Sequence, residues 1–544
     1  MEADVIVLGT GAAGLTAALA AHGHGADVLV LEKSDKVGGT SAWSGGMIWI
    51  PCNHHMREAG LEDSREEALT YLEALSHDLI DPVLAEAFVD TGPEMVEWME
   101  SNTPVQFQLV PNFPDYHPEH PGGKPGGGRS LECPLFSYDT LEAHRELVTV
   151  GYNYGTAPIT MEESNLGRAV PIEVPEEERA RRAERDERGC GQALMGRLFK
   201  GCIDRNIPVR TGYRATRLLL EDGAVAGVAG EGPDGPFEVD ARGGVVLATG
   251  GFEWNRELVR TFLRGPMTSP VSVPTNEGDG LTMSMRIGAA LGNMREAWWM
   301  PAVEIPGDRG DGRPHQHLFA SERARPRSIM VNRAGRRFTN EAANYNAFGA
   351  AFHEQDVARF DYANLPCWFI FDQKHLDTYG FIGTEPGAPA ANWVANAPTL
   401  RALAAQLGID PDGLEETVAT WNSYAEAGRD PDFHRGESAH DTWWGDPWEK
   451  GTPGATLGPL DTGPFYAVEV RSGALGTKGG PKTDGLARVQ NVDGETIAGL
   501  YAAGNVMASA MGMTYGGAGG TLAPGMVFGF LAGRDAAARA AASR

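Results

Sequence analysis

A chain of 544 residues is longer than one ordinary core sustains, so two domains are expected. Its 42% apolar and 22% charged composition, with 71 glycines, is that of a folded enzyme rich in backbone-defined turns and excludes a disordered chain. With 73 acidic against 46 basic residues the net charge is −27, which repels phosphate backbones and anionic lipid and argues against nucleic-acid partners and electrostatic membrane binding.

Asp4 to Leu8 is a short β-branched run suited to a buried parallel strand, and Gly9, Gly11 and Gly14 follow as G-x-G-x-x-G. The first glycine permits a tight turn, the second lets backbone approach a pyrophosphate, and the third lets the next helix pack closely on its strand. Ala12 and Ala13 open that helix, whose N-terminal N–H groups and dipole favour an anion. A second strand, Val28 to Leu31, ends at Glu32, placed to accept from a ribose 2′-hydroxyl and unfavourable to a 2′-phosphate. Lys33 follows, and a second glycine loop contains Gly38, Gly39, Thr40, Ser41, Gly45 and Gly46. This is a dinucleotide site.

Helical patterns then run to about residue 105. From about 106 to 190 the chain is rich in proline, glycine and aromatics (VPNFPDYHPEHPGG), too irregular for helix or strand, and is expected to form a lid-like insertion. The charged EVPEEERARRAERDERGCG within it is expected to be a solvated helix or a mobile loop. Strands near Val209, at TRLLLE and at VAGVAG precede VVLATGG, an apolar strand that runs into Ala248, Thr249 and Gly250. Asp279, between two glycines, opens an amphipathic helix. Residues 281–455 read as a separate, inserted α+β substrate domain, and residues 456–544 return to the nucleotide-domain style. There IAGLYAAGN leads into Gly504 and Asn505, while a last helix begins near Leu522 and Ala523, just after Gly520. That helix could aim its N-terminal dipole at the pyrimidine end of a flavin.

The five cysteines, Cys52, Cys133, Cys190, Cys202 and Cys367, show no C-x-x-C spacing, so neither a zinc site nor a disulfide framework is expected and a reducing cytoplasm fits. The sequence starts in a strand without a cleavable apolar core, and no apolar run is long enough to span a bilayer. A cytoplasmic protein is expected, with a peripheral membrane contact left open. His315 and His317, and His54 with His55, come without a carboxylate or cysteine set in sequence, so no metal is expected.

The continuation E-K-x-x-x-x-G-G-T-S resembles the large FAD-dependent oxidoreductases built like fumarate reductase. GGTSAWSGGMIW, PDYHPEHPGG, VNRAGRRFTNEAANY, GTKGG and GLYAAGN with MTYGGAGGT are together similar to the 3-ketosteroid 1-dehydrogenases over almost the whole chain. The resemblance implies an α/β fold in which a discontinuous Rossmann-like FAD domain (1–280 and 456–544) carries the inserted substrate domain. It implies a double bond introduced beside the carbonyl of a 3-ketosteroid or similar apolar cyclic ketone. Tyr515 and the Gly519 N–H match the family pair that binds the ketone oxygen, and Tyr345 falls where the family carries its base. Tyr116 matches the supporting tyrosine, although His117 departs from the usual aromatic neighbour. A phenol that titrates near 10 needs a lowered pKa or a relay to serve as base.

GTKGG lacks the histidine that fumarate reductases place before this glycine pair, which implies a neutral substrate. TSAWSGG lacks the histidine to which succinate dehydrogenases attach flavin, which implies non-covalent FAD. No second nucleotide fingerprint is visible, so an external acceptor such as a quinone is expected to reoxidise the flavin. An ene-reductase running the chemistry backwards and a 4(5α)-dehydrogenase stay open, as does a non-catalytic redox sensor or electron-transfer flavoprotein.

Overall fold

The strand Glu2–Leu8 takes its place at the centre of an eight-stranded sheet because Val5, Ile6, Val7 and Leu8 are apolar to both faces and all buried. It pairs in parallel with Val28–Glu32 on one side and Gly235–Leu247 on the other, and the latter pairs in parallel with Thr496–Ala502. The computed structural model describes residues 2–164, 166, 167, 172–307 and 313–544. Asn165 and residues 168–171 of the expected lid therefore lie outside the described residues.

Two helices cover this sheet close to its C-terminal edge. Ala12–Gly23 packs against the last helix, Leu522–Ala542, through glycines four apart: a Cβ on Gly529 would sit 2.4 Å from the Ala13 carbonyl oxygen and one on Gly533 2.2 Å from that of Ala17. Any side chain there would push the helices apart, so the small residues bring both helix N-termini to the same strand ends.

A seven-stranded sheet forms the second layer system, with Phe465–Thr477 hydrogen-bonded to Ala297–Ile305 and Cys367–Asp372 along its length. Phe465–Thr477 was expected to open the returning part of the nucleotide domain. It is instead the central strand of the second sheet, and Ser269–Pro270 joins that sheet too, so the sheet boundaries do not coincide with divisions at 280 and 455. The reason is its pattern: PFYAVEVRSGALG is largely buried, with only Glu469 exposed, and fits a strand of either sheet, so composition alone does not assign it.

The insertion is not wholly irregular. Ser130–Glu132 pairs with Ile48–Trp49 and with Gln108–Leu109, while Glu176–Glu184 is a helix with no buried residue. No helix among the described residues is long and apolar enough to cross a membrane.

Candidate active site

Where the two sheets meet, a cleft runs from Glu32 and Arg214 at one end to Tyr116, Tyr345 and Trp444 at the other, with about 1810 Å³ free of protein atoms, open solvent at its mouth included. The first end is built as a cradle. A Cβ on Gly9 would lie 2.3 Å from the Ala248 carbonyl oxygen, so strand and turn touch there, whereas Gly39, at φ +50°, faces open space on the cleft wall. The Glu32 carboxylate accepts from Thr10 N at 3.0 Å and Thr10 Oγ at 2.7 Å, which fixes it at the cleft edge. Lys33 is tied to Asp279 at 2.7 Å and to Glu277 at 3.0 Å. The Thr249 hydroxyl is buried without a partner. Open backbone at two helix N-termini, a carboxylate for a ribose and an orphan hydroxyl fit a dinucleotide.

Of the expected cofactor residues, Gly9, Gly11, Ala12, Ala13, Glu32, Lys33, Gly39, Thr40, Ser41, Gly45, Gly46, Ala248, Thr249, Gly250, Asp279, Gly504, Asn505 and Leu522 line the cleft. Four do not. Gly14 lies behind the turn, where a Cβ would meet the Gly9 carbonyl oxygen at 2.1 Å; Gly38 packs on Ala42; Gly520 packs on the Tyr515 ring; and Ala523 donates its N–H to the Gly519 carbonyl. They shape the wall rather than face it. Thr10, Asn276 and Thr521 line the cleft and were not anticipated, because isolated polar residues in turns carry no pattern of their own.

At the other end three phenols from three distant segments converge. Ring centroids of Tyr116, Tyr345 and Tyr515 lie 5.0 to 5.3 Å apart, with Trp444 stacked on Tyr345 and Trp298 edge-on to Tyr515. Tyr116 donates to the Tyr345 oxygen at 3.0 Å, and the Thr521 hydroxyl donates to the Tyr515 oxygen at 2.8 Å, which leaves the Tyr515 proton available to another acceptor. Gly519, at φ +101°, lines the same end.

Backbone and buried polar groups hold the three segments together. The Gly516 carbonyl accepts from Tyr116 N at 3.0 Å and from the Tyr71 phenol at 2.7 Å. His117 replaces an aromatic neighbour with a specific link, because its Nε2 accepts from the Asn344 amide at 2.9 Å and joins the Tyr116 and Tyr345 segments; burial holds the imidazole down to about 4, so it stays neutral. Arg323, fully buried, donates to the Glu341 and Ala343 carbonyls, both at 2.5 Å. Asp115, beside Tyr116, accepts from the Trp49 indole and from Arg129 at 2.7 and 2.8 Å, and burial raises its carboxyl to about 6.

Of the two routes open to a phenol base, a lowered pKa or a relay, the first is not found at Tyr345. Burial raises its phenol well above the ordinary value, and Tyr116 and Tyr515 raise it further, while burial also raises Tyr116 and Tyr515. Tyr345 accepts a hydrogen bond from the Tyr116 phenol, which supports the deprotonated form of Tyr345 whenever it arises. His54 and His55 do meet a carboxylate, contrary to the sequence expectation: Glu100 lies 3.0 Å from each ring, brought in by the helix Pro82–Asn102. The His54 Nδ1 has no partner, so a metal on Nε2 would leave a buried N–H unsatisfied.

Residues 4–522 match the FAD binding domain family. The chain belongs to that family. It is 43% identical over 99% of its length, and 93% of the relative's, to 4-oxocyclohexanecarboxylate 2-dehydrogenase of Sinomonas cyclohexanicum. It is 38% identical, over 100% of its length and 98% of the relative's, to 3-oxosteroid 1-dehydrogenase of Mycolicibacterium smegmatis. Among solved structures it superposes on the 3-ketosteroid Δ1-dehydrogenase of Sterolibacterium denitrificans in complex with 1,4-androstadiene-3,17-dione with a TM-score of 0.91, at 36% identity over 99% of both chains. This flavoprotein is an FAD-dependent oxidoreductase with the α/β fold of the ketosteroid dehydrogenases and fumarate reductases.

Proposed function

We propose that the flavoprotein dehydrogenates a cyclic ketone, a 3-ketosteroid or a smaller ring ketone, and places the new double bond next to the carbonyl. The observation that carries this reading is the convergence of Tyr116, Tyr345 and Tyr515 at one end of the FAD cleft. Tyr515, whose oxygen is already engaged by Thr521, turns its proton toward the ketone oxygen, and the Gly519 N–H is the second donor. Both stabilise the enolate that builds as the neighbouring carbon loses its proton. Tyr345 takes that proton while Tyr116 donates to its oxygen and disperses the charge. FAD held by the cradle residues would supply the two-electron oxidation, as the acceptor of the hydride from the adjacent carbon.

Phe113, Leu166, Met300, Leu318 and Trp444 give this end an apolar lining suited to a ring system. FAD is held non-covalently by the cradle residues, electrons leave to an external acceptor such as a quinone, and the five free cysteines suit a reducing cytoplasm. The test is anaerobic mixing of the holoprotein with 3-ketosteroids and with 4-oxocyclohexanecarboxylate, following flavin absorbance. Bleaching with formation of a conjugated enone supports the reading and gives the ring position. Reoxidation of dithionite-reduced protein by an enone, without bleaching by any saturated ketone, identifies a reductase instead.

A further inference from the structure

One charged side chain behind the cleft has no place in the chemistry above. Lys478 stands directly after the strand Phe465–Thr477, its backbone tied to the Glu296 carbonyl at 2.9 Å and to Ser509 N at 3.0 Å, and it is fully buried. Its ammonium donates to the Thr514 carbonyl at 2.5 Å and sits 4.0 Å from the centre of the Trp298 ring. Trp298 in turn donates to Asn505 at 3.0 Å and packs on Tyr515 at 4.9 Å. The small cavity that Lys478 lines shares Gly504, Asn505, Thr521 and Gly525 with the FAD cleft, so the ammonium lies one layer behind the cleft wall at the start of the last helix.

Among the described residues no carboxylate forms a salt bridge with Lys478. Glu296, which acts on it through space, is engaged by Arg264 at 3.2 Å and by the Trp299 indole at 3.1 Å. An ammonium buried with one carbonyl and one ring is costly unless an anion forms nearby. Burial accordingly pushes it down to about 7, and an adjacent negative charge would restore it.

We infer that Lys478 is a positioning residue that, together with the N-terminus of the last helix, stabilises the negative charge a flavin gathers on reduction, while its hydrogen bond to Thr514 holds the Tyr515 loop. The inference rests on FAD binding and not on which ketone is the substrate. A cation beside the flavin ring raises its potential and tightens its adduct with sulfite, which needs no substrate.

The test compares holoenzyme Lys478→Gln, which keeps a donor for Thr514 without the charge, and Lys478→Arg with the native holoenzyme. The charge role requires that Lys478→Gln bind sulfite at least tenfold more weakly and that its two-electron midpoint potential fall by about 30 mV, the equivalent of that tenfold, while Lys478→Arg stays within threefold of native. Sulfite affinity within twofold of native in Lys478→Gln overturns the inference. If Lys478→Gln does not retain FAD, Lys478→Arg decides: native-like affinity supports the inference, and a tenfold loss with the charge kept overturns it.

Discussion

The Tyr116 phenol donates to the Tyr345 oxygen at 3.0 Å across 229 residues of sequence. If Tyr345 is the base and Tyr116 its support, the two are unequal. Tyr345→Phe removes the acceptor of the substrate proton and should lower the rate of flavin reduction by about 10² to 10⁴. Tyr116→Phe removes only a hydrogen bond to a developing anion and should cost about tenfold to a hundredfold. Tyr515→Phe takes one of the two proposed oxyanion donors and should cost about 10² to 10³. Stopped-flow bleaching of the oxidised flavin measures all three, with the visible spectrum showing that FAD is retained. Equal, small losses in Tyr345→Phe and Tyr515→Phe would remove both from the reaction.

Because burial raises the Tyr345 phenol well above its ordinary value, the proton-accepting form is scarce at neutral pH. The reduction rate should therefore climb with pH, and Tyr515, also raised, stays protonated as a donor through the same range. Lys478, held down to about 7, loses charge as pH rises and makes the climb shallower than tenfold per unit. About a tenfold gain between pH 7 and pH 9 is expected, and the gain should vanish in Tyr345→Phe. A plateau reached below pH 7 in the native enzyme would contradict a high-pKa phenol as base.

The cradle was legible in the sequence because glycine roles are local: turn, close approach and helix packing are decided within a few residues of Gly9, Gly11 and Gly14. The tyrosines were found through family resemblance, since nothing in the spacing of 116, 345 and 515 shows that they meet. The His117 to Asn344 link and the Arg323 support were missed for the same reason, as each joins segments whose contact exists only in the fold. Phe465–Thr477 reads like the nucleotide-domain segments that follow it, yet it is the central strand of the second sheet, because a mostly buried strand carries no label of its partner. Glu100 beside His54 and His55 comes from the far end of a long helix, a register that periodicity does not supply.

Glu341 lies four residues before Tyr345 and is fully buried between two guanidinium groups, with Arg337 at 2.7 Å and Arg435 at 3.2 Å, while its other oxygen accepts from Met330 N at 3.1 Å. Arg337 also pairs with buried Asp430 at 2.8 Å. Glu341→Ala leaves the Arg435 charge buried without a carboxylate and should destabilise the fold by about 3 to 5 kcal/mol. Chemical denaturation of the native and variant proteins reads this directly. A loss below about 1 kcal/mol would mean that the pocket takes up water and that the network is replaceable.

Gly519 supplies the sharpest test of backbone placement. Its φ of +101° is a conformation that L side chains rarely adopt, and a Cβ there would lie 2.5 Å from Ile48 backbone atoms, so alanine cannot be accommodated without moving the turn. Its own N–H is half of the proposed oxyanion pair, and the turn leads directly into the last helix through the Ala523 N–H on the Gly519 carbonyl at 3.0 Å. Gly519→Ala should therefore cost about 10² to 10³ in kcat, as loss of one oxyanion donor does. Gly516 is the internal control for general loop damage. A Cβ added at Gly516, which has no positive φ, would lie 3.1 Å from the Trp49 ring, so its substitution by alanine asks a side chain rather than a backbone to shift. Activity retained in Gly519→Ala, with FAD bound and a conjugated product formed, would leave Tyr515 as the only ketone donor.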